Sequence, residues 1–149
     1  MQHTLLHESS GQRTFAVVLA SGDEVMASLQ RFAEAQHIRA AQFTAIGALS
    51  DATLMYFDWQ AKDYLRIPVR EQVEVASLIG DVAESPSGKA ALHAHIVIGK
   101  RDGTAMAGHL GEAHVRPTLE VILTESPKHL RKKKDPDSGL ALIAPALAS

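Results

Sequence analysis

A change in hydrophobic periodicity near Arg39 is the feature that most constrains how this chain can fold. Before it, Val25, Leu29, Phe32 and Ala33 recur at the spacing of an amphipathic helix. After it, the pattern becomes that of strands and stays so, with short connections between the apolar runs. One early helix against roughly eight strands predicts an α/β (α+β) fold, in which the helix covers one face of a mainly antiparallel sheet.

The predicted elements follow from local signals along the chain. A strand is expected at residues 14–20, and then a helix that Ser21 caps, that Glu24 closes as a capping box, and that ends near Gln36 or His37. The last residues, 144–149, are expected to fray. The further predicted strands are 42–49, 53–57, 64–69, 72–82, 92–100, 104–110, 115–124 and 140–143.

Composition limits the class of protein. The chain has 149 residues, 46% hydrophobic and 21% charged, which predicts one globular domain over 1–149 with its core at about 11–143. Cysteine is absent, so any metal must bind through His, Asp or Glu. Neither a long apolar run nor a signal-peptide pattern is present, which favours a cytoplasmic protein without membrane partners.

Charge argues against dedicated nucleic-acid binding. The net charge is −2 with histidines neutral, whereas a surface that binds phosphates normally carries a clear basic excess. The local exception is the basic run, residues 128–134, in which Lys and Arg dominate. The turn-forming residues 135–139 follow it at once, so it is interpreted as a solvated hairpin end. Weak DNA binding at this run remains the alternative.

Three histidines are predicted to converge on one strand pair. His93 and His95 are two apart in a strand-like run, so both project from the same face. A three-residue hairpin loop at residues 101–103 then sets His95 opposite His109 and His93 opposite Gly111. Directly paired side chains lie about 4.5–5.5 Å apart at Cβ, near enough to share a metal ion. Three imidazoles without a thiolate favour Zn²⁺, with Ni²⁺, Co²⁺, Fe²⁺ or Mn²⁺ as alternatives.

Other interpretations of these residues stay open. A strand histidine is often only a surface or hydrogen-bonded residue, and a one-residue slip of the hairpin would turn His109 away. Glu120 lies within an apolar strand, so it either faces solvent or serves the site as a general base or as a partner of a ligand histidine. His114 could be a fourth ligand but follows Gly111 in an expected turn. Gly108 and Gly111 are expected to leave room for a ligand or for the backbone of another chain to approach closely.

The order of several motifs resembles the PPC (plants and prokaryotes conserved) domain family over about residues 11–143. The resemblance is carried by Leu92-His93-Ala94-His95, by Gly108-His109-Leu110 and by the strand 118–123. Further segments fall in the same order, at 21–24, 46–48, 73–80 and 135–140. One departure is Ala107, which stands where many members have glycine.

The resemblance implies an antiparallel fold and a homotrimer. In plants the domain accompanies an AT-hook that binds DNA, but this chain has no Arg-Gly-Arg-Pro core of such a hook. Two functional hypotheses follow. One is a DNA-associated or regulatory binding module; the other is a small zinc-dependent enzyme of lyase or hydrolase type that takes a small-molecule ligand at the metal. The fold also resembles acetolactate decarboxylase distantly, which by itself assigns no reaction.

Overall fold

A computed structural model of the chain describes residues 1–145. It contains one α-helix and nine strands within those residues. The expected fraying of 144–149 falls mostly on residues 146–149, which lie outside the described part. The elements are β1 Gln2–Ser9, β2 Gln12–Ala20, α1 Val25–Ala35, β3 Ala40–Asp58, β4 Asp63–Val69, β5 Val73–Glu84, β6 Ala90–Gly99, β7 Ala105–Glu125, β8 Lys132–Lys134 and β9 Ala141–Ile143.

The sheet closes on itself. Seven strands pair in the order β1-β2-β7-β6-β5-β3-β4, and β7 also pairs with β3, so β3, β5, β6 and β7 form a ring. All these pairings are antiparallel, and β8 and β9 form a separate two-stranded sheet. The prediction of an antiparallel sheet with one early helix is confirmed, although the fold is more dominated by strands than the α/β label suggests.

Two of the predicted strand pairs are single long strands. Residues 42–49 and 53–57 belong to β3, and residues 104–110 and 115–124 belong almost wholly to β7. Register shifts beside Gly47, Ser50 and Thr53 let β3 stay paired with β7 along its length. The interruption predicted between residues 49 and 53 is therefore a bulge within one strand. Strand β1 was missed because all eight of its residues are exposed and give no alternation.

The helix is capped by Glu24 rather than by Ser21. The Glu24 side chain accepts hydrogen bonds from the backbone nitrogens of Met26 and Ala27, and also from Ala113 N on β7 at 3.2 Å. Ser21 instead donates its hydroxyl to the carbonyl of Pro117 at 3.1 Å. A carboxylate is the better cap here because it can serve two helix donors and the sheet together.

The helix supplies one wall of a single hydrophobic core. Leu29 and Phe32 are buried on the face of α1 that packs toward β6 and β7. The Phe32 ring meets Phe15 edge to face, with centroids 5.3 Å apart. Burying each such side chain contributes about 1.5–3 kcal/mol. The strands send alternate residues into the same core, among them Ala94 and Ile96 of β6. His93 and His95 therefore point outward.

No helix within residues 1–145 is both long and apolar enough to cross a membrane.

Gly80 on β5 is required by close packing. It pairs with Ala94 of β6, and a Cβ at Gly80 would lie 2.3 Å from Cζ of Phe43 and 2.5 Å from the carbonyl oxygen of His93. By contrast, a Cβ at Gly99 of β6 would meet nothing within 4 Å.

We expect Gly80→Ala to lower the free energy of unfolding by about 1–3 kcal/mol, because a methyl group there must displace a buried ring or a strand backbone. Gly99→Ala is the matched control and should stay within about 0.5 kcal/mol of the wild type. Urea denaturation of the two variants makes the comparison. Equal stability of both would show that the β5–β6 packing is looser than described.

Candidate metal centre

The hairpin register confirms the predicted pairing of His95 with His109. His95 of β6 pairs directly with His109 of β7, and the backbone of Lys100 bonds Thr104 across the connecting loop. The β6–β7 ladder ends at that histidine pair, so the predicted pairing of His93 with Gly111 does not form. His93 is paired on its other side with Asp81 of β5.

The three imidazoles nevertheless converge. One ring nitrogen from each of His93, His95 and His109 lies within 4.8 Å of the others. The Nε2 atoms of His93 and His95 are 3.2 Å apart. The ring centroids are separated by 5.0 Å for His93–His95 and His93–His109, and by 5.4 Å for His95–His109. The triad thus presents three nitrogen donors toward one point on the outer face of the closed sheet.

The electrostatics of the triad favour neutral rings. Burial lowers the pKa of His109 to about 4, and the neighbouring positive charges of His93, His95 and Lys132 act in the same direction. Burial, followed by the charge of His93, also lowers the pKa of His95. An imidazole must be neutral to offer its lone pair to a metal. At neutral pH both residues are therefore in the form that binds metal.

The residues present fit a metal ion. Nδ1 of His109 is buried and has no hydrogen-bond partner within residues 1–145. Such an unpaired polar atom costs about 1–3 kcal/mol, which coordination or a hydrogen bond would offset. Three imidazole nitrogens and no thiolate form a donor set typical of Zn²⁺ and related divalent transition metals.

An aromatic ring and a cavity lie beside the triad. The ring of Tyr64 from β4 lies 5.0 Å from His109 and tilted to it by 36°. On the other side a cavity of about 490 Å³ reaches His93 and His95. Its polar lining includes Gln42, Thr44 and Asp81, with Ile79 as an apolar wall. A small polar ligand could therefore reach the histidines from this side.

Asp81 is the site residue that sequence reasoning missed. Its Oδ2 lies 3.5 Å from Nδ1 of His93, and its Oδ1 lies 3.0 Å from Nζ of Lys132. Burial by itself would raise the pKa of Asp81, but the hydrogen bonds and charges of His93 and Lys132 outweigh it and lower that pKa. Asp81 alternates with Ile79 on the outward face of an apolar strand, the same signal that drew attention to Glu120.

Glu120 and His114 stand apart from the triad. Glu120 is exposed on β7, between Val18 of β2 and Ile46 of β3. Its carboxylate is not among the ligand atoms that converge within 4.8 Å in the histidine cluster. It lies two residues along β7 from Ile122, which is three strands away from His95 through β5 and β3. His114 is part of β7 rather than of a turn, and its Nδ1 lies 2.8 Å from Asp51. That hydrogen bond is the main reason that the pKa of His114 is raised.

The glycines beside His109 serve the fold. A Cβ at Gly108 would lie 3.1 Å from the carbonyl oxygen of Met55, and one at Gly111 would lie 3.0 Å from that of Thr53. The close approach is therefore made by β3 of the same chain. Ala107, the departure from the family pattern, is exposed and leaves this contact untouched.

The basic run is less exposed than its interpretation as a solvated hairpin end requires. Residues 132–134 form strand β8, and Lys132 is buried against Asp81. His129 and Arg131 both face Glu84, at 3.9 and 3.5 Å. Three side chains of the basic run therefore have acidic partners, which reduces the positive charge that the run can offer to phosphates.

Comparison with known proteins shows the family and the fold of this chain. The sequence matches the family model of the Plants and Prokaryotes Conserved (PCC) domain over residues 6–127. No protein of curated function matches it. A solved metal-containing protein from Archaeoglobus fulgidus is 32% identical with a TM-score of 0.81, and the match covers 88% of this chain and 92% of that one.

Two further solved structures have the same fold. A plant- and prokaryote-conserved (PPC) protein from Pyrococcus horikoshii is 28% identical with a TM-score of 0.83, over 96% of this chain and 94% of its own. A protein from Ralstonia eutropha JMP134, described as "Putative DNA-binding protein", is 30% identical with a TM-score of 0.81, over 87% and 90%. Since the family model spans most of the sequence, the chain belongs to the Plants and Prokaryotes Conserved domain family, the PPC family of the sequence resemblance.

Proposed function

We propose that this chain is a trimeric metal-binding PPC protein in which His93, His95 and His109 hold a Zn²⁺ ion. The observation that carries the proposal is the convergence of three imidazoles, one of them with a buried and unpartnered Nδ1. The metal-containing relative from Archaeoglobus fulgidus supports it. A cytoplasmic location stays a prediction.

The same geometry supports a small zinc-dependent lyase or hydrolase as the catalytic form of this function. When bound, Zn²⁺ polarises a carbonyl oxygen or lowers the pKa of a bound water. The chain itself would hold His93 in place through Asp81 and would receive a small oxygenated ligand in the adjoining cavity, where Gln42 and Thr44 offer hydrogen bonds. Glu120 lies outside the cluster formed by the three histidines of its own chain, so a role as general base would place it on a ligand at a subunit boundary.

His95→Ala is expected to reduce bound metal to near background, because it removes one of three ligands that come from a single hairpin. His129→Ala is the control, since His129 faces Glu84 and stands outside the triad. Elemental analysis of the purified proteins after dialysis measures both. Stoichiometric metal in His95→Ala would contradict the three-histidine site.

The trimer is supported by an apolar patch on the outer face of the ring. We define it as Val18, Ile46, Ile79 and Ile122, which are 37–61% exposed. Thr44 lies between Ile79 and Ile122, and the exposed Glu120 lies between Val18 and Ile46, so the patch extends over four strands and contains one hydroxyl and one carboxylate. Ile79 pairs with His95. Exposed apolar side chains that cluster on one face among a few polar groups are typical of protein interfaces. Closed association would bury it beside the metal site.

Light scattering coupled to size exclusion should give a mass of three times 16.0 kDa for the wild type. Ile122→Lys should shift the mass toward the monomer, because association would then bury an unpaired charge. Gln60→Lys, at an exposed turn residue, is the control and should leave the trimer intact. A monomeric wild-type protein at micromolar concentration would contradict the assembly.

DNA association is the second candidate function, because a relative of the same fold is described in those terms. Within this chain the exposed basic residues Lys133 and Lys134 are the surface that would contact phosphates. We expect weak binding without sequence preference, because few phosphates are neutralised. The binding should decline as salt rises, because it depends on the release of counterions from the DNA. Fluorescence anisotropy with duplex DNA at two salt concentrations tests this. Tight sequence-selective binding at physiological salt would make DNA recognition the primary function.

A further inference from the structure

Lys132 is the unusual member of the basic run. Its side chain is only 5% exposed, whereas its neighbours Lys133 and Lys134 are exposed. Lysine is seldom buried unless it is paired. Its partner is Asp81, whose Oδ1 lies 3.0 Å from the ammonium nitrogen. Burial at this position therefore depends on the carboxylate.

The second oxygen of the same carboxylate faces the metal site. Oδ2 of Asp81 lies 3.5 Å from Nδ1 of His93, and Nε2 of that ring is turned toward His95, 3.2 Å away. A carboxylate within ion-pair distance of one ring nitrogen favours the tautomer that is protonated there and orients a ligand histidine. Lys132, Asp81 and His93 therefore form a continuous chain of contacts that ends at the triad.

We propose that Asp81 and Lys132 are positioning residues of the metal site: Lys132 fixes the carboxylate of Asp81, and Asp81 holds the ring of His93 with Nε2 toward the other two histidines. This inference rests on the proposed function, since it presupposes metal at the triad. Lys132 lies on β8, beyond residues 6–127 over which the family model matches. The positioning of Asp81 therefore depends on the β8–β9 hairpin, which is outside the matched region.

The hairpin is docked firmly enough to act in this way. Glu84 N donates to the carbonyl of Leu130 at 2.6 Å, and the Glu84 side chain lies 3.5 Å from Arg131. Glu84 and Arg131 also form an isolated parallel bridge between β5 and the start of the hairpin. Within the hairpin, Ala144 N donates to the carbonyl of Arg131 at 2.9 Å and so extends the β8–β9 ladder. Since Lys132 follows these anchors directly, its ammonium is placed by the backbone. By reciprocity, metal binding should in turn strengthen the docking of the hairpin.

A purely electrostatic role for Lys132 has the opposite signature. Its positive charge contributes to the lowered pKa of His109, so by Coulomb repulsion alone it should also weaken the binding of a divalent cation. Removing the charge would then tighten metal binding. A positioning role requires that the same change loosen it, because His93 loses its fixed partner. The two roles are distinguished by the sign of the effect.

The test compares Zn²⁺ affinity in the full-length protein, measured by competition with a chelating dye. Lys132→Met and Asp81→Asn should each weaken binding about 10–100-fold. Lys133→Met, a matched change at an exposed position of β8, should leave it unchanged. The Zn²⁺ affinity of the double variant should be no lower than that of the single variant with the lower affinity, because the two residues act as a unit. Replacing Zn²⁺ by Co²⁺ should show an altered visible absorption spectrum in both single variants.

Affinity in Lys132→Met equal to or tighter than that in Lys133→Met would overturn the inference. Loss of metal in His95→Ala together with this result would overturn only the positioning role and leave the triad standing. Retention of metal by His95→Ala would overturn both.

If Lys132→Met does not fold, a measurement on the wild-type protein tests the positioning role instead. Adding Zn²⁺ should slow amide hydrogen exchange in β8, Lys132–Lys134, while exchange in the exposed strand β1 stays the same. Unchanged exchange in β8 on metal binding would overturn the inference.

Discussion

Closure of the sheet through the pairing of β7 with β3 is the constraint on which the rest of the molecule depends. It joins β3, β5, β6 and β7 into a ring, so every strand of the ring has one face inside and one outside. Apolar residues such as Leu78 and Ile96 fill the inside. A slip of one residue of β6 against its neighbours β5 and β7 would exchange its two faces and bury His93 and His95. The core therefore determines the register, and the register determines the site.

The histidine triad carries an energetic cost that its surroundings only partly offset. Three imidazoles placed this closely repel one another when protonated, and burial further disfavours the charged form of His109. Asp81 offers a compensating carboxylate, but only to His93. Nδ1 of His109 has no protein partner within the described residues. A metal ion would resolve both difficulties, which couples metal binding to the stability of the fold.

The outer face of the ring brings two surfaces together. His95 pairs with Ile79, a member of the apolar patch, so the triad and the proposed subunit boundary are adjacent. The basic run lies next to the same region, but Glu84 and Asp81 hold its inner members. The triad, the apolar patch and the hairpin are thus concentrated on one side of the molecule. This arrangement favours a function at the triad over one spread across a basic surface.

Local sequence signals were sufficient for the hairpin and the helix. Three loop residues set the pairing of His95 with His109, because a tight turn determines the register of the strands beside it. The apolar stripe of α1 likewise predicted which of its residues are buried. The absence of cysteine determined that nitrogen or oxygen atoms must hold any metal.

Three features were decided by the tertiary structure alone. The strands β3 and β7 are continuous, and Glu120 lies outside the triad. A chain of contacts runs from Lys132 through Asp81 to His93. Each of these depends on strands that are distant in sequence and meet only when the ring closes. A residue's own neighbours report which face of a strand it occupies. They do not report what lies opposite that face, because the pairing is selected by burial of the whole core rather than by any single segment.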